Sequence, residues 1–525
     1  MSYIQGINRH QSTLFPEVLD DFISENNAVR FLDEFVDALP RNELEFKHSI
    51  PAGTGRPPYN PAQLLKLYLY GYLNGTRSSR KLERLTYCNV EVMWLLSKVQ
   101  PDFKTIADFR KDNIDALKKV TKTFTLLCKE MDLFGRELVG IDGSKFSAVN
   151  HNSRCFTKRK LQKMLDQVDE KIKNYYETLA EEDSTEKQLG EMTNRSLQEK
   201  IAMMEKHREE IERMQRELEE SGQSQLSLTD PDSRKMHSNT GGNDVSYNVQ
   251  IAVDDKHHLI VAHEVTNAIN DETELSNIAL QAKEIFGVEE LEAVADMGYF
   301  AGEEIKKCDD AGITCYIPKP QKSINKKRGL FTNEVFRYDA EKDCYHCPAQ
   351  EMLSYRGKRY KGKKADRVYS SKACYSCPLR KQCTTSKGGS RRIYRWEHEH
   401  VIEAMQVRLK KDPEKMKKRK CLVEHPFGTM KCTMDQRYFL LKGKHKVSGE
   451  MSLTVLAYNI KRVLNILGVH LLRKMMRNIM GKPSFSAMFS AISFLASTVA
   501  IYRVQNRSDR LIMKYPGKTA YALAN

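Results

Sequence analysis

Apolar residues in the middle of the chain recur in short runs that predict strands, with helical spacing between the runs. The run ELVGIDGSKF predicts a buried strand that presents Asp142. Alternating apolar residues at 246–266 flank a polar turn and predict a hairpin. An amphipathic helix, a buried strand before Asp296, a second helix and the strand ITCYIP follow, and a helix carrying Glu424 comes last. The pattern predicts an α/β fold with strands and helices in this order.

Three acids occupy equivalent places in this pattern. Asp142, Asp296 and Glu424 lie on the first strand, the fourth strand and the last helix, which is the ribonuclease H-like order. Carboxylates on separate elements suit two-metal phosphodiester chemistry, in which two divalent cations about 4 Å apart have hard oxygen ligands. The alternative is that Asp142 is a turn residue and Glu424 a solvated helix residue. The pattern therefore predicts a ribonuclease H-like mixed-sheet catalytic core with a divalent-metal site.

Residues 1–135 have the pattern of an all-helical module. Short helices with a tight turn at Gly75 resemble a helix-turn-helix, and Thr105 with Asp108 predicts the start of a long helix towards Met131. The alternative is a helical scaffold with ordinary surface cations. The residues expected to contact DNA are Arg77, Arg80, Lys81 and Arg84.

A second helical segment interrupts the catalytic pattern. Residues 157–227 keep apolar residues at helical spacing among dense charges, and EEDSTEKQLGE between them can turn. The segment is expected to form an antiparallel helical hairpin with coiled-coil character, although one long charged helix is the simpler alternative. Asp271, with Glu274 three residues later, is expected to cap the next helix.

The cysteines carry a second chemical signal. Cys344 and Cys347 form one CxxC pair, Cys374 and Cys377 form another, and Cys383 follows. This spacing is typical of a zinc ribbon, and a closed four-cysteine site has a structural role. Five cysteines compete for four places, and iron would also suit four thiolates.

The charge balance points to a polyanionic partner. The net charge is +16, and lysine- and arginine-rich runs recur, including the row Lys417, Lys418, Arg419 and Lys420. The first residues are polar and mixed, so no secretory signal is expected, and twelve cysteines then favour metal binding in a reducing cytosol. The uncharged stretch 485–502 is expected to be a buried helix or a partner-binding face rather than a membrane span.

The chain resembles a known family in long phrases spread over roughly residues 20–470. The matching phrases are GRPPYNPAQLLKLYLYGYLNGTRSSRKLER, PDFKTIADFRKDN, IDGSKFSAVN, DPDSR, YNVQIAVD, ADMGYF, CYSCPLRKQC and VEHPFGTMK. They are similar to the DDE transposases of bacterial insertion sequences, in the group with an E-H-P-F-G motif and a cysteine-rich insertion. The resemblance implies strand cleavage at transposon ends that depends on Mg²⁺ or Mn²⁺, followed by strand transfer into target DNA.

The resemblance also implies roles for single residues. Asp142, Asp296 and Glu424 would be the DDE acids, and Lys431 would neutralise a phosphate. Lysines stand at the tyrosine and arginine positions of the family's signature, with Arg419 beside them. Among the cysteines, Cys344 would be the one left out of a structural Zn²⁺ site.

The expected partner is double-stranded DNA, held by a homodimer or larger assembly in the bacterial cytoplasm at the nucleoid, without a membrane. The alternatives are a nuclease of the same fold that does not join strands and a non-catalytic DNA-binding protein derived from a transposase. The expected modules are 1–135 (helical, DNA-binding), 136–156 with 228–330 and 400–475 (catalytic core), 157–227 (helical hairpin), 331–399 (cysteine-rich insertion) and 476–525 (helical tail).

Overall fold

The computed structural model of the chain describes residues 18–51, 57–184, 191–238, 242–320, 325, 328–362, 364–386 and 389–482. The uncharged stretch 485–502, most of the predicted tail and the first seventeen residues lie outside this range. The described chain is a mixed α/β fold, as the sequence predicted, and it contains two larger sheets.

The N-terminal part is helical. Its helices are α1 (Ala28–Asp37), α2 (Arg41–Leu44), α3 (Pro61–Leu73), α4 (Ser79–Cys88), α5 (Val90–Leu95), α6 (Phe103–Asp112) and α7 (Ile114–Glu130). The single long helix predicted from Thr105 is wrong in two respects. The Asp102 side chain caps α6 by accepting from the Lys104 and Thr105 amides, so the helix begins earlier. Asn113 then separates α6 from α7.

The first sheet follows the predicted order of strands. Its strands are β1 (Leu138–Ser147), β4 (Arg234–Ser238), β5 (Gly242–Asp254), β6 (Ile260–Thr266), β7 (Leu291–Val294) and β8 (Ile313–Tyr316). Strand β1 pairs antiparallel with β5 and parallel with β7, and β8 continues the parallel side. Strands β4 and β6 both pair with the far edge of β5. Strand β1 therefore lies inside the sheet, with the buried residues Val139 and Ile141.

Helices lie between and after the later strands of this sheet in chain order. They are α10 (Leu275–Phe286), α11 (Gly302–Asp310), α13 (Glu399–Lys411), α14 (Glu414–Gly428) and α15 (Lys444–Met480), with a five-residue π-helical turn, Thr429–Thr433, after α14. Helix α15 is long and apolar enough to cross a membrane by length and composition, but 44% of its most apolar window is buried inside the protein. It also buries Glu450 and Asn459, which is typical of a core helix in contact with polar partners.

Two further units extend from this body. Strand β2 (Cys155–Thr157) leads into α8 (Lys158–Ser184), and α9 (Glu191–Glu220) returns to β3 (Gln225–Ser227). Ion pairs from Lys158 to Glu219 and from Asp169 to Arg208 show that the two helices run antiparallel. The second sheet is antiparallel in the order β13-β12-β11-β10-β9. Its elements are β9 (Arg337–Asp339), β10 (Cys344–His346), β11 (Met352–Lys361), β12 (Lys364–Ser370), the short helix α12 (Arg380–Cys383) and β13 (Ile393–Trp396).

Arg77, expected to contact DNA, is instead a buried structural residue. Its side chain is 3% exposed and forms an ion pair with fully buried Glu450, with Nη1 3.1 Å from Oε1. The same nitrogen donates to Gln436 Oε1, and the guanidinium lies over the Tyr438 ring. Burial of both charges removes Arg77 from any DNA-facing surface, so the prediction for this residue is wrong. The ion pair instead joins the N-terminal helices to α15.

Replacing Arg77 with Ala is expected to lower the free energy of unfolding by about 3–5 kcal/mol, because Glu450 would remain buried without its partner charge. Urea denaturation of the full chain measures this loss. Lys81→Ala is the matched control, since Lys81 lies on the exposed side of α4 and alanine favours a helix. Equal stability of the two variants would show that the Arg77–Glu450 contact contributes nothing.

Candidate active site

Parallel pairing of β1 and β7 places two of the predicted acids side by side. Gly140 pairs with Val294 in the register of the two strands. Asp142 and Asp296 each follow this pair by two residues in strands that run in the same direction. Their side chains therefore emerge at one edge of the sheet, where the structure brings them to a common partner.

That common partner is Arg419 of helix α14. Its Nη2 atom lies 3.2 Å from Asp142 Oδ1 and 3.7 Å from Asp296 Oδ2. The sequence placed Arg419 in a solvated basic row expected to bind DNA. The structure corrects this, because the side chain is only 13% exposed and is turned towards the two acids. A guanidinium between two carboxylates offsets the repulsion between them.

Helix α14 approaches this closely because β1 has a glycine at the crossing point. A Cβ atom on Gly140 would lie 3.0 Å from Val423 Cγ1 and 3.1 Å from Leu422 Cβ. Those contacts are tighter than ordinary van der Waals distance, and the second atom is attached directly to the helix backbone. A larger residue at position 140 would therefore displace the helix that carries Arg419.

The site lies partly out of water, and this changes its electrostatics. Burial raises the pKa of Asp142 to about 6; the Arg419 charge opposes the rise and the Asp296 charge adds to it. Burial also raises the pKa of Tyr299 well above its usual value, and nearby acids add to the effect. The Nε atom of Arg419 is buried without a hydrogen-bond partner among the described residues. The buried Asp142 carboxylate favours a compensating cation, whereas the unpartnered Arg419 Nε–H favours a hydrogen-bond acceptor.

Asp271 is a residue near the site that the sequence assigned to a different role. The expected cap of α10 is wrong, since that helix begins at Leu275 with Glu274 as its N-cap. Asp271 Oδ1 instead accepts from Asn248 Nδ2 at 2.6 Å and from Gln250 Nε2 at 2.7 Å. Burial is the largest cause of the raised pKa of Asp142, and the charge of Asp271 raises it further.

The signal for this network was present in strand β5. Asn248 and Gln250 are polar residues at alternate positions of the strand, between apolar neighbours, and both are fully buried. Buried amides require hydrogen-bond partners. Gln250 donates to Asp271 and accepts from the Tyr299 hydroxyl, so the chain of contacts runs from Asp271 to the segment that follows Asp296.

Glu424 and Lys431 differ in their contacts with the rest of the chain. The Glu424 carboxylate is exposed and forms no hydrogen bond or ion pair with any described residue. It precedes Phe427 by three residues on α14, and the Phe427 ring lies 6.2 Å from that of Phe146. Lys431, in the π-helical turn, donates to Ser144 Oγ at 2.6 Å and to the Lys145 carbonyl at 3.0 Å. Ser144 is two residues beyond Asp142, so Lys431 borders the acids.

His425 lies apart from this group. Its Nδ1 atom is 3.0 Å from the Tyr458 hydroxyl of α15, and its ring faces His258. Burial lowers the pKa of His425, and Arg462 lowers it further. The contact joins α14 to α15 rather than to the acids.

Comparisons with known proteins identify the family. A model of a transposase domain (DUF772) matches residues 17–112, and a model of a transposase DDE domain matches residues 344–464. The chain belongs to the DDE transposases of the insertion-sequence type. No curated protein matches it. Among solved structures, the similarity to a piggyBac transposase synaptic complex with hairpin DNA covers 92% of this chain and 85% of that chain, at 8% identity and a TM-score of 0.31.

The other basic residues predicted to bind DNA are on the surface of the transposase. On α4, Arg80, Lys81 and Arg84 are exposed, and Arg80 lies over the Phe103 ring. On α14, Lys417, Lys418 and Lys420 are exposed, and Lys417 pairs with Glu414 on the same helix. These six side chains are available to a ligand, in contrast to Arg77 and Arg419.

The five cysteines of the CxxC region separate into two groups. One cavity beside the second sheet has four cysteine side chains in its wall: Cys347, Cys374, Cys377 and Cys383. Burial raises the pKa of the Cys383 thiol, Arg391 opposes this, and the other three cysteines add to the rise. Cys344 is buried on β10 and contacts His346 instead.

Changing Gly140 to Ala is expected to destabilise the transposase by about 1–3 kcal/mol, because α14 must move away from β1. Urea denaturation provides the measurement. Gly428→Ala on the same helix is the control, since an added Cβ there meets nothing within 4 Å and alanine favours a helix. A Gly140→Ala protein as stable as the control would contradict the close crossing of helix and strand.

Proposed function

We propose that this transposase cuts DNA at the ends of its insertion sequence and transfers the freed strands into target DNA, with Asp142, Asp296 and Glu424 as the metal-binding acids. The single observation that carries the proposal is the shared contact of Asp142 and Asp296 with the Arg419 guanidinium. Two acids from separate strands converge on one cation in a partly buried pocket. The arrangement suits a site whose substrate is a polyanion.

The order and direction of strands support a ribonuclease H-like core. The first three long strands of the sheet, β1, β5 and β6, are antiparallel neighbours, and β7 and β8 extend the sheet in parallel beyond β1. Asp142 lies on the first of these strands, and Asp296 follows the fourth. Glu424 lies on α14, which crosses β1 at Gly140.

The residues present suit divalent cations such as Mg²⁺ or Mn²⁺. Carboxylate oxygens are the ligands that such hard cations prefer. The Arg419 guanidinium already supplies a positive charge between the carboxylates of Asp142 and Asp296. Bound cations would supply activation of the attacking water or 3′-hydroxyl and stabilise charge on the leaving oxygen. Arg419 would then release the acids, and its guanidinium would become available to a DNA phosphate.

Glu424 is proposed as the third acid because of its place on α14. Its carboxylate has no competing partner among the described residues. It lies three residues before Phe427, which contacts the β1 face that presents Asp142 and Ser144. Lys431 is proposed to neutralise a phosphate, because its ammonium already faces the oxygen acceptors Ser144 Oγ and the Lys145 carbonyl beside Asp142.

The DNA is proposed to contact two surfaces. The exposed cations of α4 would read the element's end, and the lysines of α14 would neutralise the backbone beside the acids. Pairing two ends requires a homodimer or larger assembly. Such a protein would act in the bacterial cytoplasm at the nucleoid. The four-cysteine cavity is proposed to bind structural Zn²⁺, since thiolates in this number and spacing prefer that ion.

Conservative variants of the acids test the proposal directly. Asp142→Asn, Asp296→Asn and Glu424→Gln should each lose cleavage and strand transfer of labelled end DNA in Mg²⁺, while end binding remains, because only the metal-binding charges are removed. Glu414→Gln is the control on the same helix, since Glu414 is an exposed acid paired with Lys417.

Three outcomes of this assay would overturn parts of the proposal. Cleavage retained in any acid variant removes that residue from the catalytic set. Cleavage by the unaltered protein without joined products would establish the nuclease alternative. Binding to end DNA without cleavage or joining, in either cation, would establish a non-catalytic DNA-binding protein.

The α14 lysines are expected to contribute affinity that does not depend on sequence. The double variant Lys417→Ala, Lys418→Ala should bind end DNA and random DNA more weakly by similar factors, and its salt dependence should flatten by roughly one unit of slope per lost phosphate contact. Filter binding over a salt series measures both quantities. Lys171→Ala with Lys173→Ala on α8 is the matched control.

An equal loss in the α8 control would assign the contact with the DNA backbone to α8 and α9 instead.

The α4 cations are expected to affect sequence preference. The double variant Arg80→Ala, Arg84→Ala should reduce the preference for end DNA over random DNA in the same binding assay. An unchanged preference would remove α4 from end recognition.

A further inference from the structure

The antiparallel ribbon of β9 and β10 presents three metal-ligand side chains on one face. Asp339 pairs directly with Cys344 across the two strands, and His346 follows Cys344 by two residues. Tyr338 and Tyr345 form the adjacent pair and point to the opposite face, where they join an aromatic cluster with Tyr369. The alternation of side chains in the strands therefore gathers an acid, a thiol and an imidazole together.

One imidazole nitrogen faces both other groups. His346 Nε2 lies 3.9 Å from Cys344 Sγ and 3.6 Å from Asp339 Oδ2. One ligand atom from each of the three residues lies within 4.8 Å of the other two. Zinc bonds of about 2.0–2.3 Å in a tetrahedral site place ligand atoms roughly 3.3–3.8 Å apart. The observed separations are close to this geometry.

The surroundings also suit an ion. Cys344 is 2% exposed, whereas His346 and Asp339 are partly exposed at the edge strand. An ion at this face would have a protein-lined inner side and an outer side that admits water as a fourth ligand. Asp339 already uses Oδ1 to accept from the Glu341 and Lys342 amides, which leaves Oδ2 directed at His346. The hydrogen bonds from the Glu341 and Lys342 amides would hold the carboxylate in place.

We propose that Asp339, Cys344 and His346 bind a transition-metal ion of the Zn²⁺ class, at a site separate from the four-cysteine cavity. A thiolate, an imidazole and one carboxylate favour such an ion over Mg²⁺. The ion would join β9 to β10 at the free edge of the second sheet. The site also accounts for the fifth cysteine, since Cys344 would have a metal of its own.

Metal analysis of the full-length protein tests this site. Protein purified with Zn²⁺ and without chelator should contain two zinc ions per chain, and His346→Ala should contain one. His207→Ala is the matched control, since His207 on α9 also lies near a carboxylate, with Nδ1 3.9 Å from Glu210 Oε2, but belongs to no group of three metal-ligand side chains among the described residues. That variant should keep both ions.

The design separates this proposal from the four-cysteine site. Cys377→Ser should also reduce two ions to one, and the double variant with His346→Ala should contain none. If the unaltered protein contains one ion that His346→Ala loses, the present site stands and the four-cysteine proposal falls. If His346→Ala keeps as much zinc as the unaltered protein, the present site is refuted.

A second variant covers failure of the first to fold. Asp339→Asn retains the oxygen that caps the turn and removes the ligand charge, so it should fold and bind the second ion more weakly by tenfold or more. Co²⁺ loading gives an independent readout, because a cobalt–thiolate absorption band should change in Asp339→Asn and stay constant in His207→Ala. An unchanged cobalt spectrum in Asp339→Asn would refute the site.

Discussion

The candidate site depends on the close crossing of helix α14 over strand β1. Gly140 leaves room for Leu422 and Val423 to lie against the strand, and this brings Arg419 within reach of Asp142. Parallel pairing of β1 and β7 supplies Asp296 at the same edge. Two neighbouring carboxylates repel each other, and the Arg419 guanidinium between them offsets this repulsion. The two carboxylates at this edge of the sheet therefore favour a positive charge between them.

Hydrogen bonds from groups other than the acids also hold the site in place. Gln250 connects Asp271 to Tyr299, and Tyr299 follows Asp296 by three residues. A buried amide without a hydrogen-bond partner lowers the stability of the fold, so this network fixes the segment after β7. Lys431 is held by Ser144 and the Lys145 carbonyl, two and three residues beyond Asp142. The π-helical turn that contains Lys431 directs its side chain back to the strand.

The separate parts of the chain are joined to this core by specific buried contacts. Arg77 reaches Glu450 across 373 positions of sequence, so the N-terminal helices are fixed to α15 rather than tethered. The second sheet packs against this core at Trp396, whose ring would lie 3.0 Å from a Cβ atom added to Gly302 at the start of α11. Arg395 and Glu403 pair beside this junction. In the proposed function DNA contacts more than one surface, and such connections would fix the relative positions of those surfaces.

The sequence by itself determined the family, the mixed α/β class, and the order of strands and helices in the core. These follow from local patterns: apolar runs and their spacing, and long phrases shared with insertion-sequence transposases. It also brought out the three acids and the cysteine pairs, whose roles stay predictions. Only the tertiary structure decided which charged side chains are buried and which groups they contact. Arg77, Arg419 and Arg80 look alike in sequence, yet the first is buried against Glu450, the second lies between two acids and the third is exposed. The partner of a charge, and its distance from water, depends on segments hundreds of residues away, and local sequence patterns do not contain that information.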